Sequence, residues 1–221
     1  VFIKPATAHF NAWMAPDHKK TFGVALVAAA SGSYNYSIDQ RNYYLEINPI
    51  YRPNEKLRLE YAFENFYRAK DIGYVDNISD YIIFGKRDVN TITNSICAGY
   101  IFTGKSALNI RLRHYWTTAV YDQYYHLTEE GYLVSADYSE HNDINYNAFN
   151  IDLIYRWNFA PGSELSVMWK NCILQSDSEI TYDFVENLEN TLRSPQNNSF
   201  SIKALYYIDY QSLKKKKAVA G

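Results

Sequence analysis

A strict alternation of apolar and polar residues recurs along almost the whole chain and constrains the fold more than any other feature. Segment 57–64 reads Leu-Arg-Leu-Glu-Tyr-Ala-Phe-Glu, and segment 108–116 reads Leu-Asn-Ile-Arg-Leu-Arg-His-Tyr-Trp. The same period of two continues through segments 149–158 and 200–210. This period is typical of β-strands with one apolar and one polar face, whereas an amphipathic helix repeats every 3.6 residues. The sequence therefore predicts an all-β protein.

The predicted strands are long. We predict nine of them, at about 7–14, 21–33, 41–51, 56–67, 89–102, 107–121, 144–158, 165–174 and 199–210. Most extend over roughly 10–15 residues, which exceeds the five or six typical of soluble sheets and approaches the length that a tilted strand needs to cross a bilayer.

The connections between these strands alternate between short and long. Tight polar turns are predicted at 16–18, 52–55, 103–106 and 160–163, and longer loops at about 34–40, 68–88, 122–143 and 175–197. An outer-membrane barrel sorts its connections in this way, with short periplasmic turns and long extracellular loops. We therefore expect an antiparallel transmembrane β-barrel in a bacterial outer membrane.

The two faces of the strands are assigned from the same alternation. We expect the apolar set to face lipid and a charged network to face the lumen: Arg58, Glu60, Arg111, Arg113, Asp152, Arg156, Lys170 and Lys203. Because both signs are present, we expect charges that pair across neighbouring strands and no strong ion selectivity.

Aromatic residues near the strand ends predict two girdles at the membrane interfaces. The girdle residues are Trp13, Tyr51, Tyr100, Phe102, Trp157 and Tyr210 near the short turns, with Trp116 and Trp169 nearer the long loops.

The strand count is odd, and this predicts polypeptide outside the chain. Single-chain bacterial barrels have an even number of strands with both ends in the periplasm, and unpaired strand edges are not tolerated in lipid. We expect residues 1–213 to be the C-terminal part of a larger barrel that upstream polypeptide completes, and residues 214–221 to be a basic tail.

Composition excludes several other classes of protein. Of 221 residues, 47% are hydrophobic and 17% aromatic, with only two Cys, so collagen-like, disordered and disulfide-stapled folds are excluded. The net charge of −2 does not predict nucleic-acid binding. No apolar run approaches the length of a membrane-spanning helix.

The motifs with possible chemistry are weak. Segment 99–106 matches the spacing of a phosphate-binding loop, but it continues into alternating strands where such a loop needs a helix, which favours a hairpin turn. His114 could form a nucleophilic pair with a serine, but an interfacial polar role beside Trp116 is favoured. Acidic residues in the loops favour solvated loops over a calcium site, and no cofactor is implied.

Several segments carry a family resemblance. They are 52–61, 82–89, 108–116, 147–157 with 159–165, and 205–210 with its lysine tail. Over nearly its whole length the chain resembles the C-terminal region of the Bacteroidota family known as domain of unknown function 5916. The resemblance implies an outer-membrane barrel that follows an N-terminal domain similar to carbohydrate-binding family 9, which the 221 residues lack, and it implies no catalytic residue.

The function that these observations favour is non-enzymatic. We expect a barrel that acts as a component of a surface complex or as a conduit for a solute such as a saccharide. Its partners would be outer-membrane lipid, the completing polypeptide and other outer-membrane proteins. The alternatives are a membrane-embedded lipid or glycan hydrolase and, more weakly, a soluble ligand-binding barrel.

Overall fold

The computed structural model of the chain describes residues 2–3, 5–17, 19–34, 38–78 and 81–208. Its elements, in chain order, are β1 (Ala6–Met14), β2 (Phe22–Tyr34), β3 (Arg41–Asn54), β4 (Leu57–Ile78), β5 (Tyr81–Thr103), β6 (Ser106–Leu127), β7 (Leu133–Ser135), β8 (Ile144–Ala160), β9 (Ser163–Asp177), α1 (Phe184–Arg193) and β10 (Gln196–Leu205). The predicted all-β architecture is confirmed, since the nine long strands correspond to the nine predicted ones. Within this part of the chain, no helix has the length and apolarity to span a membrane.

All ten strands belong to one antiparallel sheet. The long strands follow the order β1-β2-β3-β4-β5-β6-β8-β9-β10, and the short β7 pairs with the end of β6. In the described residues β1 pairs only with β2, and β10 pairs only with β9. The sheet is therefore open, and β1 lies at an edge as the strand count predicts.

The predicted loop at 68–88 is wrong. Strand β4 continues to Ile78 and β5 begins at Tyr81, so the two strands form a long hairpin in its place. Irregularities in the β4–β5 register lie between Arg68 and Asp71 and between Tyr74 and Asp76. Because each bulge inserts an unpaired residue, the alternation changes phase there and the strand pattern is interrupted in the sequence.

The other long loops also contain structure that the sequence does not predict. Strand β6 continues to Leu127 and pairs with β7, which shortens the loop predicted at 122–143. Helix α1 occupies the loop predicted at 175–197. Asp183 caps this helix, because its side chain accepts a hydrogen bond from the backbone N–H of Glu186 at 2.8 Å.

The register assigns every strand residue to one of two faces, because directly paired residues point the same way. One continuous row crosses all nine long strands: Met14, Leu26, Ile47, Phe63, Asn94, His114, Phe149, Ile173 and Gln196. We call the face of this row the apolar face, since Leu45, Leu59 and Ile96 also lie on it. We call the opposite face the charged face; a row on it joins Glu60, Cys97, Arg111, Asp152 and Lys170.

The described residues contain little buried apolar core. The buried hydrophobic residues are Ile38, Ile50, Ile83, Val89, Trp116, Ala119 and Ile173. Many larger apolar side chains remain exposed instead, among them Phe10, Leu45 and Phe200 on the apolar face. A soluble sheet normally buries its apolar face against a second layer. Here α1 covers only a small part of that face.

The segment before β1 indicates that the sheet curls. The backbone N–H of Ile3 donates to the carbonyl of Gly131 at 3.1 Å, and the rings of Phe2 and Phe84 lie 5.2 Å apart. Gly131 follows β6, which lies five positions from β1 in the sheet order. In a flat sheet that separation would be roughly 24 Å, whereas the three residue steps from Ile3 to Ala6 span at most about 11 Å.

The long β4–β5 hairpin depends on a glycine. A Cβ atom at Gly85 would overlap the ring of Tyr121 and touch Val75, whereas a Cβ at Gly104 would meet no atom within 4 Å. We expect Gly85→Ala to destabilise the hairpin by about 1–3 kcal/mol through overpacking, and Gly104→Ala to have little effect. Protease protection of residues 71–88 measures the difference, and equal protection of the two variants would contradict this packing.

Candidate functional site

The eight residues of the predicted charged network all lie on the charged face. Arg111, Asp152 and Lys170 form adjacent positions of one row. Glu60 extends this row to β4, and Arg58 lies two residues before it on the same face. Arg113, Arg156 and Lys203 lie an even number of residues from row positions on their strands, which also places them on the charged face. The folded register therefore gathers on one surface residues that are up to 145 positions apart in the sequence.

The ion pairs within this network are few. Arg58 contacts Glu60 at 2.7 Å along the same strand, and Lys170 contacts Asp152 at 3.6 Å across two strands. The remaining cationic side chains, in the part of the chain that the structure describes, form no ion pair: Arg111, Arg113, Arg156 and Lys203. The expected pairing of charges across strands thus applies to Asp152 with Lys170, and the network carries an excess of positive charge.

Two adjoining cavities open on the charged face. One has a volume of about 540 Å³ and is lined by Arg58, Glu60, Cys97, Ala98, Gly99, Asn109, Ile110, Arg111, Asp152, Ile154 and Lys170. The other has a volume of about 370 Å³ and includes Arg113 and Asn150. Both contain Arg111, Asp152 and Lys170. These volumes fall in the range of small-molecule sites.

Aromatic residues at the short-turn ends cluster on the apolar face. Tyr51 and Trp157 lie there by register, as does Tyr100, whose ring is 4.9 Å from that of Phe102. The Phe102 ring in turn lies 6.2 Å from that of Tyr155 on the same face. The rings of Tyr100, Phe102 and Tyr155 thus form one contiguous group.

The other predicted girdle residues have different surroundings. Trp13 pairs with Val27 on the charged face and is 75% exposed. Trp169 lies on the apolar face in the middle of β9 and donates its Nε1–H to Asn198 at 2.9 Å. Trp116 is buried beneath α1, and Tyr210 lies outside the described residues.

Helix α1 packs on the apolar face through a buried amide cluster. Asn187 donates its Nδ2–H to Asn147 at 2.7 Å and accepts hydrogen bonds from Asn145 at 3.2 Å and Asn147 at 3.0 Å. Thr191, one turn further, donates to Gln175 at 3.0 Å. Because these polar groups satisfy one another, they can be buried without the cost of unpaired donors.

His114 lies under the start of the same helix. Its side chain is only 5% exposed, its Nε2 lies 3.2 Å from Asn147 Oδ1, and the Phe184 ring is 5.6 Å from its own ring. Among the described residues no hydroxyl group is hydrogen-bonded to His114. The nucleophilic pair with a serine, which the sequence left as the less favoured alternative, is therefore not present in this geometry.

The remaining sequence motifs have structural roles. The segment that matches a phosphate-binding loop forms the end of β5, a two-residue turn at Gly104 and Lys105, and the start of β6, as expected of a hairpin. Cys97 and Cys172 are both free thiols. In the described ranges, no group of three or more His, Cys, Asp and Glu side chains is arranged to hold a metal ion.

Charged groups also connect neighbouring strands near the long loops. Arg87 on β5 donates to Asp71 at 3.0 Å and to the Tyr121 hydroxyl at 2.5 Å, which ties β4, β5 and β6 together. In the β2–β3 connection, the hydrogen bond from the Arg41 guanidinium lowers the pKa of Asp39. This carboxylate therefore stays ionised to a lower pH than a free aspartate.

Sequence reasoning missed α1 and the asparagines that hold it. The helix has only ten residues and lies in a polar, acidic segment, so its propensity signal is weak. Its position depends on tertiary contacts with Asn145 and Asn147 that are invisible in the local pattern. The one available signal is the spacing of Phe184, Asn187 and Thr191, which places all three on one side of a helix.

The fold and this surface define a class: an open antiparallel sheet of long strands with one exposed apolar face and one basic face. The chain belongs to the family described as Domain of unknown function (DUF5916), whose family model matches residues 1–217. A search of curated proteins finds no match.

The amide cluster predicts how α1 responds to mutation. Asn187→Ala removes the acceptor of the buried Nδ2–H groups of Asn145 and Asn147, which costs about 1–3 kcal/mol. We expect amide hydrogen exchange in residues 184–193 to accelerate by roughly tenfold or more. Glu189→Ala, on the exposed side of the same helix, is the matched control and should leave exchange unchanged. Similar exchange rates in both variants would refute a role for Asn187 in docking.

Proposed function

We propose that this chain forms part of the wall of an outer-membrane β-barrel that conducts a polar solute. In this proposal the apolar face contacts lipid, and the charged face lines an aqueous interior. Further strands, from upstream polypeptide or from another membrane protein, pair with the two edges. The protein acts without catalysis.

The observation that carries this proposal is the exposure of the apolar face. Ile96 lies at the centre of β5, flanked in register by Tyr61 and Leu112, yet 49% of its surface is accessible. Large apolar side chains are similarly exposed on strands across the whole sheet, including the edge residues Phe10 and Ile202. An exposed apolar surface of this extent is unfavourable in water and marks a membrane or protein interface.

The height of the apolar belt suits an outer membrane. On β3 the belt runs from Tyr43 to Tyr51, with a tyrosine at each end. Eight residue steps correspond to about 27 Å along a strand. With strands tilted by roughly 40°, this gives a belt about 20 Å tall, near the apolar band of roughly 25 Å in outer-membrane barrels.

Helix α1 covers polar residues that interrupt the apolar face. Polar residues begin to replace apolar ones on the apolar face at His114, Asn145 and Asn147, and these are the side chains that α1 covers. Polar groups facing lipid without partners would each cost several kcal/mol. The helix thus shields a polar patch at the end of the strands nearest the long loops.

The open edges support the need for further strands. Every residue of β1 and of β10 is exposed, and each strand has a pairing partner on one side only in the described part of the chain. Backbone groups left unpaired in a bilayer are strongly unfavourable, so an inserted sheet must be closed. The curl of the sheet indicated by the contact of Ile3 with Gly131 favours such closure.

The contacts of His114 do not favour the alternative of a membrane-embedded hydrolase. Its ring is buried between Asn147 and Phe184, where a substrate has no access. A nucleophile–base pair would need a hydroxyl or thiol within hydrogen-bond distance.

Insertion of a charge at the exposed Ile96 tests the membrane assignment. A soluble protein tolerates arginine at a half-exposed position, whereas arginine at the bilayer midplane costs roughly 2–4 kcal/mol. We expect Ile96→Arg to reduce the amount of heat-modifiable, membrane-assembled protein. Thr93→Arg, on the charged face of the same strand opposite Glu64, should assemble normally. Equal assembly of both variants, or recovery of the protein in the soluble fraction, would contradict the proposal.

The alternation of turns and loops predicts the orientation in the membrane. An epitope tag inserted next to Glu186 should bind antibody on intact cells, because it lies on the long-loop side. A tag next to Asn54, in the β3–β4 turn, should bind antibody only after the outer membrane is permeabilised. Labelling of the Asn54 tag alone on intact cells would invert the topology.

A further inference from the structure

We propose that the charged face binds an oxyanion group of the conducted solute, a phosphate or a carboxylate, between Arg111, Arg113 and Lys170. We call these three residues the basic cluster. The inference rests on the proposed function, since it takes the charged face to line the aqueous interior. It differs from the expectation from the sequence, which was that the interior would have no strong ion selectivity.

The excess of positive charge on this face is concentrated on one group of strands. On β6 and β8–β10 the charged residues are Arg111, Arg113, Asp152, Arg156, Glu164, Lys170 and Lys203, so cations dominate. On the charged face of β3 and β4, the acidic residues Glu46, Glu60 and Glu64 are accompanied by Arg58 and Arg68, so cations do not dominate there. The field on the β6–β10 side therefore attracts anions.

Arg111 and Arg113 hold free guanidinium groups side by side. They are two residues apart on one strand face, which places them roughly 7 Å apart. The register partners of Arg113 are Ser95 and Asn150, both neutral. Neither arginine forms an ion pair or a hydrogen bond with another described residue.

The guanidinium group suits an oxyanion better than any other side chain. Its planar N–H donors bind two oxygens of a carboxylate or phosphate at once. Two such groups at this spacing can contact one phosphate, or the carboxylate and a neighbouring hydroxyl of an acidic sugar. Asn150, which lines the same cavity, adds a neutral donor.

Lys170 and Asp152 set the strength of the cluster. Their contact of 3.6 Å is only partly buried and lies where the two cavities meet. Asp152 cancels one of the three positive charges and leaves the cluster with a net positive charge. A solute would therefore be attracted without the tight binding that prevents release from a conduit.

Anion binding can be measured on the intact protein in detergent, independently of conduction. The probes are inorganic phosphate, followed by ³¹P line broadening, and glucuronate, followed by equilibrium dialysis; the two distinguish a phosphate site from a carboxylate site. We expect at least one anion to bind and Arg111→Gln/Arg113→Gln to weaken that binding by roughly tenfold or more, because charge-assisted hydrogen bonds are lost.

Two further variants keep the result interpretable. Lys19→Gln/Lys105→Gln removes the same number of charges from short turns outside the cluster and should bind as the unmodified protein does. Arg113→Gln alone, whose register partners are neutral, serves if the double variant fails to assemble, and it should weaken binding severalfold. Absence of binding for both probes, or equal binding by the arginine variants and the unmodified protein, would overturn the basic cluster as a site.

Conductance separates this inference from the proposed function. In planar bilayers under a KCl gradient, the protein should prefer chloride over potassium, and Arg111→Gln/Arg113→Gln should reduce that preference. Channels that prefer potassium would refute the anion site while supporting the conduit. Absence of channels would refute the conduit, and the binding measurement in detergent would then decide the site alone.

Discussion

Nine long strands pair in one continuous antiparallel sheet, and the remaining features of the molecule depend on that pairing. It fixes the face of every side chain, so Ile96 and Leu112 share one surface while Arg111 and Asp152 share the other. No second layer covers the apolar surface in the described residues, and only α1 packs against part of it. The hydrophobic effect can stabilise this sheet fully only if lipid or another apolar surface removes that face from water.

The sequence predicted the sheet well where alternation is regular. Strands β6 and β8 were identified because an apolar residue stands at every second position through segments 108–112 and 149–157. The part of the β4–β5 hairpin beyond Arg68 was not identified, because bulges near Arg68 and Tyr74 shift the phase of the alternation. Helix α1 escaped for a different reason: a helix of ten residues is stable only through its contacts with the sheet.

The sequence predicted which charged residues share a face of the sheet, but not which contacts they make. The alternation of apolar and polar residues was enough to place Arg111 and Lys170 on one face, because successive side chains point to opposite faces of a strand. Register alone does not decide which charges pair: Asp152 lies directly opposite both Arg111 and Lys170, and its ion pair is with Lys170. Likewise, the burial of Trp116 depends on α1, and no local pattern reveals it. The resulting excess of positive charge on the charged face is not indicated by the near-neutral composition of the chain.

The central claim is that the apolar face contacts lipid and the charged face contacts water. Spin labels on single cysteines along β5, with Cys97 and Cys172 replaced by serine, test it directly in reconstituted membranes. Labels at positions 92, 96 and 98 should be relaxed by oxygen, which concentrates in lipid, and labels at 91, 93 and 95 by a water-soluble nickel complex. An alternation with the opposite phase, or equal access of the nickel complex to both sets, would contradict the account.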